Sequence, residues 1–236
     1  MLLKRQIEDL EKGLKTSMLL RLLTALSLIS LILVVLYLQS AWLFTILICF
    51  VCILALYEWI ANNFKNKLFG FFLIFNFGFW SIFLILGWES YFDNDIGSPL
   101  VMSFFLYGII ILNTALFDTF AYIIGSNFGK TYIVKKISPN KTLEGLVGGL
   151  FSSIILGSLI GLSLVPKNYW IIVIFILGGL SAFFGDLLIS FFKRQTGVKD
   201  TGTILPGHGG ILDRIDSHLL ATPLLIIILL LLLYIV

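Results

Sequence analysis

Charge is scarce in this sequence. Asp, Glu, Lys and Arg together make up 12% of its 236 residues, about half the share found in soluble globular domains. That shortage excludes an ordinary soluble fold. It also excludes nucleic-acid binding, because the basic residues present lie in short stretches between apolar runs and form no basic face. Cysteine is nearly absent, with only Cys49 and Cys52, both in one apolar segment. No βαβ pattern surrounds their C-x-x-C spacing, so it reads as two small apolar residues on one helix face, not as a redox pair. Of the two histidines, His208 sits between glycines with no His or Cys partner, which argues against a transition-metal centre. No cleavable signal is expected, since the first apolar run follows basic residues but is too long for a signal-peptide core.

What the chain has in abundance is hydrophobic residues, 59% of the total. Several runs of eighteen or more lack any charge, the length at which a helix crosses hydrocarbon. The spans fall at 19–38, 41–61, 68–88, 99–127, 145–165, 168–192 and 218–236. The fourth exceeds the ~20 residues of a straight crossing, so it is either tilted or broken near Asn113-Thr114. The expected fold is an all-α polytopic integral membrane protein with seven transmembrane helices, or up to nine if spans are split, around a cytoplasm-facing polar cavity. Residues 1–17 alternate Ile7, Leu10 and Leu14 with Lys4, Arg5, Glu8, Asp9, Lys12 and Lys15. They read equally as a helix lying on the membrane or as a solvated helical tail.

Basic residues set the orientation. One face receives residues 1–18 with Arg21, the 62–67 loop, the 128–144 loop and the 193–217 loop. These hold fifteen of the sixteen Lys and Arg residues, Lys167 being the exception. The opposite face receives Glu89, Asp93 and Asp95 in a loop without a base. This bias puts the N-terminus in the cytoplasm and the C-terminus outside. Trp42, Trp88, Tyr91, Tyr169 and Trp170 then mark the outer interface, and Tyr57 and Trp59 the inner one.

Three carboxylates fall inside the apolar spans: Glu58, Asp118 and Asp186. Glu58 is near the inner end of its helix and reads as structural, snorkelling to water. Asp118 and Asp186 are deeper, where a charge needs a partner, a wet cavity or a cation, so they are read as functional. The stretch 185–217 adds Asp200, Asp213 and Asp216, with Lys193, Arg194, Lys199 and Arg214 among them. Lys193 and Arg194 also suit ordinary flanking charge, whereas Arg214 sits between two aspartates. Gly207, Gly209 and Gly210 let the backbone approach a ligand closely, and the helix that follows offers its N-terminal amides to a phosphate. Carboxylates beside a phosphate are best explained by a bridging divalent cation, and oxygen-only ligation suits Mg²⁺. A second polar group runs from Asp118 through Tyr122 and Lys130 to Ser138, Pro139, Lys141, Thr142 and Glu144. Facing the same side, it forms the second wall of the site.

These residues resemble the phosphatidate cytidylyltransferase (CDP-diacylglycerol synthase) family. The signature reads Ser190-x-Phe192-Lys193-Arg194, four residues, then Lys199-Asp200-x-Gly202-x-x-Leu205-Pro206-x-His208-Gly209-Gly210-Ile211-x-Asp213-Arg214-Ile215-Asp216. Asp118-Thr119, Ala121-Tyr122, Ser138-Pro139, Lys141-Thr142, Glu144-Gly145 and Gly185-Asp186-Leu187 match in the same order. The likeness covers the C-terminal half, dividing the chain into an N-terminal part (1–98) and a catalytic membrane domain (99–236). Ile189 stands where bacterial members often carry an acid, and Asn140 and Leu143 stand for the usual Lys and Trp. These departures bear on headgroup or phosphate contacts, not on the reaction class.

The resemblance implies transfer of the cytidylyl group of CTP to phosphatidate, giving CDP-diacylglycerol and diphosphate, in a bacterial cytoplasmic membrane. It implies Mg²⁺ on Asp186, Asp213 and Asp216, with K⁺ beside it, and a homodimer. Lys199 and Arg214 join the three aspartates as catalytic groups. Substrate contacts go to Asp118, Tyr122, Lys130, Ser138, Lys141, Thr142, Glu144, Ser190, Lys193, Arg194, Asp200, His208, Gly209 and Gly210. Two other readings compete: a CTP-dependent enzyme for another lipid, such as an isoprenyl glycerophosphate or a polyprenol, and an ion-coupled transporter built on Asp118 and Asp186. The gathering of charge on one side and the lack of an internal repeat weigh against the transporter.

Overall fold

In a computed structural model, the structure describes residues 2–87, 98–164 and 169–235, and the side chains of 18–87, 98–163 and 169–232. Trp88, Tyr91, Glu89, Asp93, Asp95 and Lys167 lie outside the described residues. Uncharged runs of this length have no water to satisfy their backbone in hydrocarbon, so they close their hydrogen bonds internally as helices. The helices are α1 (Leu2–Leu38), α2 (Ala41–Ala61), α3 (Lys67–Leu86), α4 (Pro99–Phe128), α5 (Leu143–Leu164), α6 (Trp170–Thr196), α7 (Leu212–Ile215) and α8 (His218–Ile235). Among the described residues, seven segments are long and apolar enough to cross a membrane, the last formed by α7 and α8 together.

Local chemistry sets the ends. Ser40 caps α2 by accepting from the Leu43 amide, and Pro99 opens α4, where its missing N–H costs nothing. Helix α6 ends at Gly197 in the left-handed region, with Lys193 and Arg194 in its last turn, where cations meet the negative end of the helix dipole. The fourth span is unbroken. Its thirty residues extend about 45 Å at 1.5 Å rise per residue, so tilt or protrusion accommodates it. At the suspected break, Asn113 donates to the Phe175 carbonyl at 3.2 Å, tying α4 to α6, and Thr114 donates to the Ile110 carbonyl within α4. Residues 2–17 continue into the first span as one helix; the side chains that would decide between surface helix and tail are outside the described set.

Helices α4 and α6 form the middle of the bundle: α4 packs most extensively on α5, α6 packs on α5, α8 and α4, and α3 packs on α2 and α8. One apolar cluster runs from Val35, Phe44 and Trp59 through Phe77, Leu84 and Phe104 to Phe192, Leu212 and Ile226. Helix α1 is different. Its span is almost wholly exposed to the surroundings and has few contacts with α4. Near the start of the span it nevertheless meets the 206–208 loop, where Arg21 packs on Gly207 and Thr24 donates to the Pro206 carbonyl at 3.2 Å. The end of α2, the end of α4, the start of α5, the end of α6 and α7 gather at this same end of the bundle.

Candidate active site

Two groups of acids meet at that end, built in different ways. The first lies between α4, α6 and the junction of α7 with α8. Asp186 projects from α6, one residue beyond Gly185. A Cβ on Gly185 would come within 2.5 Å of the Asp216 carbonyl; the glycine therefore allows the close backbone approach that sets Asp186 beside Asp216. Lys141 reaches Asp186 Oδ2 at 2.5 Å and rests over the Phe183 ring at 4.8 Å. Ser190, one turn along α6, donates to Asp186 Oδ1 at 3.1 Å. Asp118 on α4 accepts from the Ser217 hydroxyl at 3.0 Å, and Asp216 accepts from the Ser217 amide at 2.9 Å. Asp118 and Asp216 both lie within electrostatic range of Asp186. Asp118 and Asp216 thus gather around Asp186, which pairs with Lys141, and one oxygen each of Asp118 and Asp216 has no hydrogen bond among the described residues.

The second group folds the loop 200–212. Asp213 accepts from Lys193 at 2.8 Å on one oxygen, and from the Thr201 and Gly210 amides at 2.7 and 3.0 Å on the other. Glu58 of α2 is 2% exposed. It accepts from the Thr201 hydroxyl at 2.8 Å, the Ile211 amide at 2.9 Å and the Leu212 amide at 2.8 Å. Asn62 adds a bond to the Thr201 carbonyl at 2.6 Å.

Two expectations are corrected here. Glu58 does not snorkel: Trp59, Phe64 and Phe192 stack around the end of its helix, and the signature loop closes over it. Nor do the amides at the start of α7 face open space for a phosphate. They are already bound to Glu58, an anion the protein supplies from its own N-terminal half. The signature glycines follow from this. Gly209 has φ +86° with Asp213 against its Cα, and a methyl group on Gly210 would overlap the Glu58 carboxylate and the Thr201 hydroxyl, so neither position accepts a side chain without displacing an anchor.

The remaining expected residues divide between scaffold and rim. Thr142 is buried and caps α5 by accepting from the Gly145 amide at 3.1 Å. Glu144 accepts from the Lys130 and Thr131 amides, so Lys130 contributes its backbone there. Ser138 accepts from the Lys141 amide at 3.3 Å, shaping the turn that carries Lys141. Arg194 donates to the Ile137 carbonyl at 3.1 Å. Arg214 donates from two nitrogens to the His208 carbonyl, and His208 meets Thr24 through Nδ1. Lys199, Asp200 and Tyr122 are exposed. Sequence reasoning missed Ser217, Thr201 and Asn62, all of them ordinary polar residues with no pattern to mark them.

Oxygen-only donors in negative excess over their lysine suit a hard divalent cation. Among the described residues no three His, Cys, Asp or Glu side chains come together as a ligand set. The protein therefore offers one or two carboxylates and leaves the other positions to phosphate and water, which is how Mg²⁺ is commonly held. Asp186 and Asp216 fit that part. Asp213 fits less well, since both its oxygens are already engaged.

Fold and site together define an all-α integral membrane protein with a carboxylate–lysine centre at one end of its bundle. The family model for the cytidylyltransferase family matches residues 96–232, and the chain belongs to that family. It is 47% identical over 131 residues to the phosphatidate cytidylyltransferase of Staphylococcus aureus (strain COL), covering 54% of this chain and 49% of that one. It is 50% identical over 117 residues to the phosphatidate cytidylyltransferase of Staphylococcus saprophyticus, covering 48% and 45%. It is 46% identical over 107 residues to the uncharacterized protein YnbB of Escherichia coli (strain K12), covering 45% and 36%. The chain spans about half the length or less of these relatives.

Proposed function

We propose that this protein transfers the cytidylyl group of CTP to phosphatidate, releasing diphosphate and forming CDP-diacylglycerol. The observation that carries the reading is the gathering of Asp118 and Asp216 around the Lys141-paired Asp186, beside the complete signature loop, in a chain similar to proteins named for that activity. A phosphate oxygen of phosphatidate forms a bond to the α-phosphorus of CTP as the bond to diphosphate breaks. Diphosphate departs with the electron pair. The attacking oxygen is already anionic, so no general base is required, and the work is positioning and charge neutralisation.

Asp186 and Asp216 would hold Mg²⁺, which when bound supplies charge neutralisation for the phosphates. Lys141 would meet phosphate oxygens as its partner Asp186 turns to the cation, while Lys193 stays paired with Asp213. Ser190 and Ser217 keep Asp186 and Asp118 oriented. Asp213 keeps the loop folded. The lipid reaches the site laterally from the bilayer while CTP arrives from water. The site faces the cytoplasm in this reading, supported by the basic residues gathered in the segments at its end of the bundle.

The test is the purified protein in liposomes containing phosphatidate, given labelled CTP and Mg²⁺. Lipid-linked CMP forms, with diphosphate in equal amount. Transfer to an isoprenyl glycerophosphate or a polyprenyl acceptor but not to phosphatidate would overturn the lipid assignment, and no CTP consumption at all would overturn the reaction class.

A further inference from the structure

Glu58 lies outside the family-matched segment 96–232, on a helix whose sequence shows only an apolar span. Its carboxylate nevertheless gathers both ends of the signature loop. Thr201 donates from the loop's beginning, and Ile211 and Leu212 donate from its end, all within 2.9 Å. Asn62, one turn further along α2, takes the Thr201 carbonyl. A Cβ on either Gly202 or Gly210 would run into the same carboxylate. Leu212 begins α7, a four-residue helix that Asp216 terminates, and Ser217 follows at once with its bond to Asp118. One helical turn therefore separates the amide held by Glu58 from the acid that joins the reacting group.

We infer that Glu58 is a positioning residue: from the N-terminal half it fixes where α7 starts, and through α7 it sets Asp216 and Ser217 against Asp118 and Asp186. A buried carboxylate is expensive in hydrocarbon, and a plain apolar contact would close α2 on the loop at lower cost. Three donors from the two ends of one loop are what that cost secures. The inference rests on the cytidylyl-transfer reading for its kinetic consequence but has a structural one of its own.

The experiment uses the full chain in phosphatidate liposomes with Glu58→Gln, Thr201→Val, the double variant and Thr201→Ser. Glu58→Gln keeps the volume but turns an NH₂ group toward at least one donor. It lowers kcat about tenfold or more, the scale at which sub-ångström misplacement acts, while KM for phosphatidate stays within about twofold, the acyl-binding walls being untouched. Thr201→Val loses part of the same rate, and the double variant is no worse than the worse single one, because both act through one contact. Thr201→Ser, which keeps the hydroxyl, recovers most of what Thr201→Val loses. Hydrogen exchange rises across 201–217 in Glu58→Gln and not in α3 or α5.

Wild-type kcat in Glu58→Gln, or strictly additive losses in the double variant, overturns the inference. If Glu58→Gln does not insert, Thr201→Val and Asn62→Ala carry the test, and unchanged kcat in both overturns it. If the parent protein transfers no cytidylyl group, the functional reading fails instead. The positioning role is then decided by exchange alone: unchanged protection of 201–217 in Glu58→Gln contradicts it, and faster exchange confined there upholds it.

Discussion

Glu58 and Asp213 carry six hydrogen-bond donors between them, one of these from Lys193. Asp118, Asp186 and Asp216, a few residues away in the fold, share two serines, one of them twice, and a single lysine. The ion pairs show the same division. Lys193 and Asp213 keep 12% and 6% of their side-chain surface exposed, against 17% and 28% for Lys141 and Asp186. An acid whose two oxygens are both engaged by the signature loop and its lysine is a staple, stable because neither oxygen is left unpaired. In the proposed reading, an acid left short of donors is the one that meets cation or substrate. Residue type and motif membership do not separate these two jobs; the count of donors does.

That contrast can be broken in several ways, the greatest effect coming first. Removing divalent cation with EDTA stops lipid-linked CMP formation altogether, while the melting temperature of the protein hardly moves, because no staple depends on the ion. A second-order exchange at the open group, Asp216→Asn, reduces the rate about a thousandfold and leaves detergent-solubilised protein melting within a few degrees of the parent. Lys141→Met retains the stem over Phe183 but not the charge; turnover drops about a hundredfold, and salt does not restore it. At the staple the pattern inverts. Asp213→Asn faces an NH₂ group toward the Thr201 or Gly210 amide and strands Lys193, costing about 1–3 kcal/mol for each buried group left unpaired, so thermal denaturation shifts down together with activity. Lys130→Ala has the smallest effect, within about threefold, since Glu144 is bound by the backbone of Lys130 and the side chain is exposed.

The spans were readable because hydrocarbon imposes one rule on every backbone group, and an uncharged run of twenty residues has one answer to it. The breaks were less so. Helix α6 continues through Lys193 and Arg194 to Thr196 because their long stems and the Gly197 cap extend the helix beyond its apolar part. The last span begins at Leu212, not at 218, because a four-residue helix precedes the bend at Asp216 and Ser217. Asp118 and Asp186 were visible from the cost of burying charge, and their convergence was expected; its agent, Lys141, was one candidate among many in a basic loop. Glu58 carried the same cost signal as Asp118, yet its partners lie 143 to 154 residues away. No local pattern reveals a contact of that range. The amides at α7 looked open to phosphate for the same reason, since a helix start read alone does not disclose which anion fills it.

The central claim is that the donor-poor acids serve the reaction. It is tested most directly by purified wild-type protein and Asp186→Asn, assayed together with labelled CTP and Mg²⁺ in phosphatidate liposomes after their thermal melts are matched. The account predicts lipid-linked CMP from the wild type and about a thousandfold less from the variant. Equal rates from the two, with both proteins folded, would contradict it.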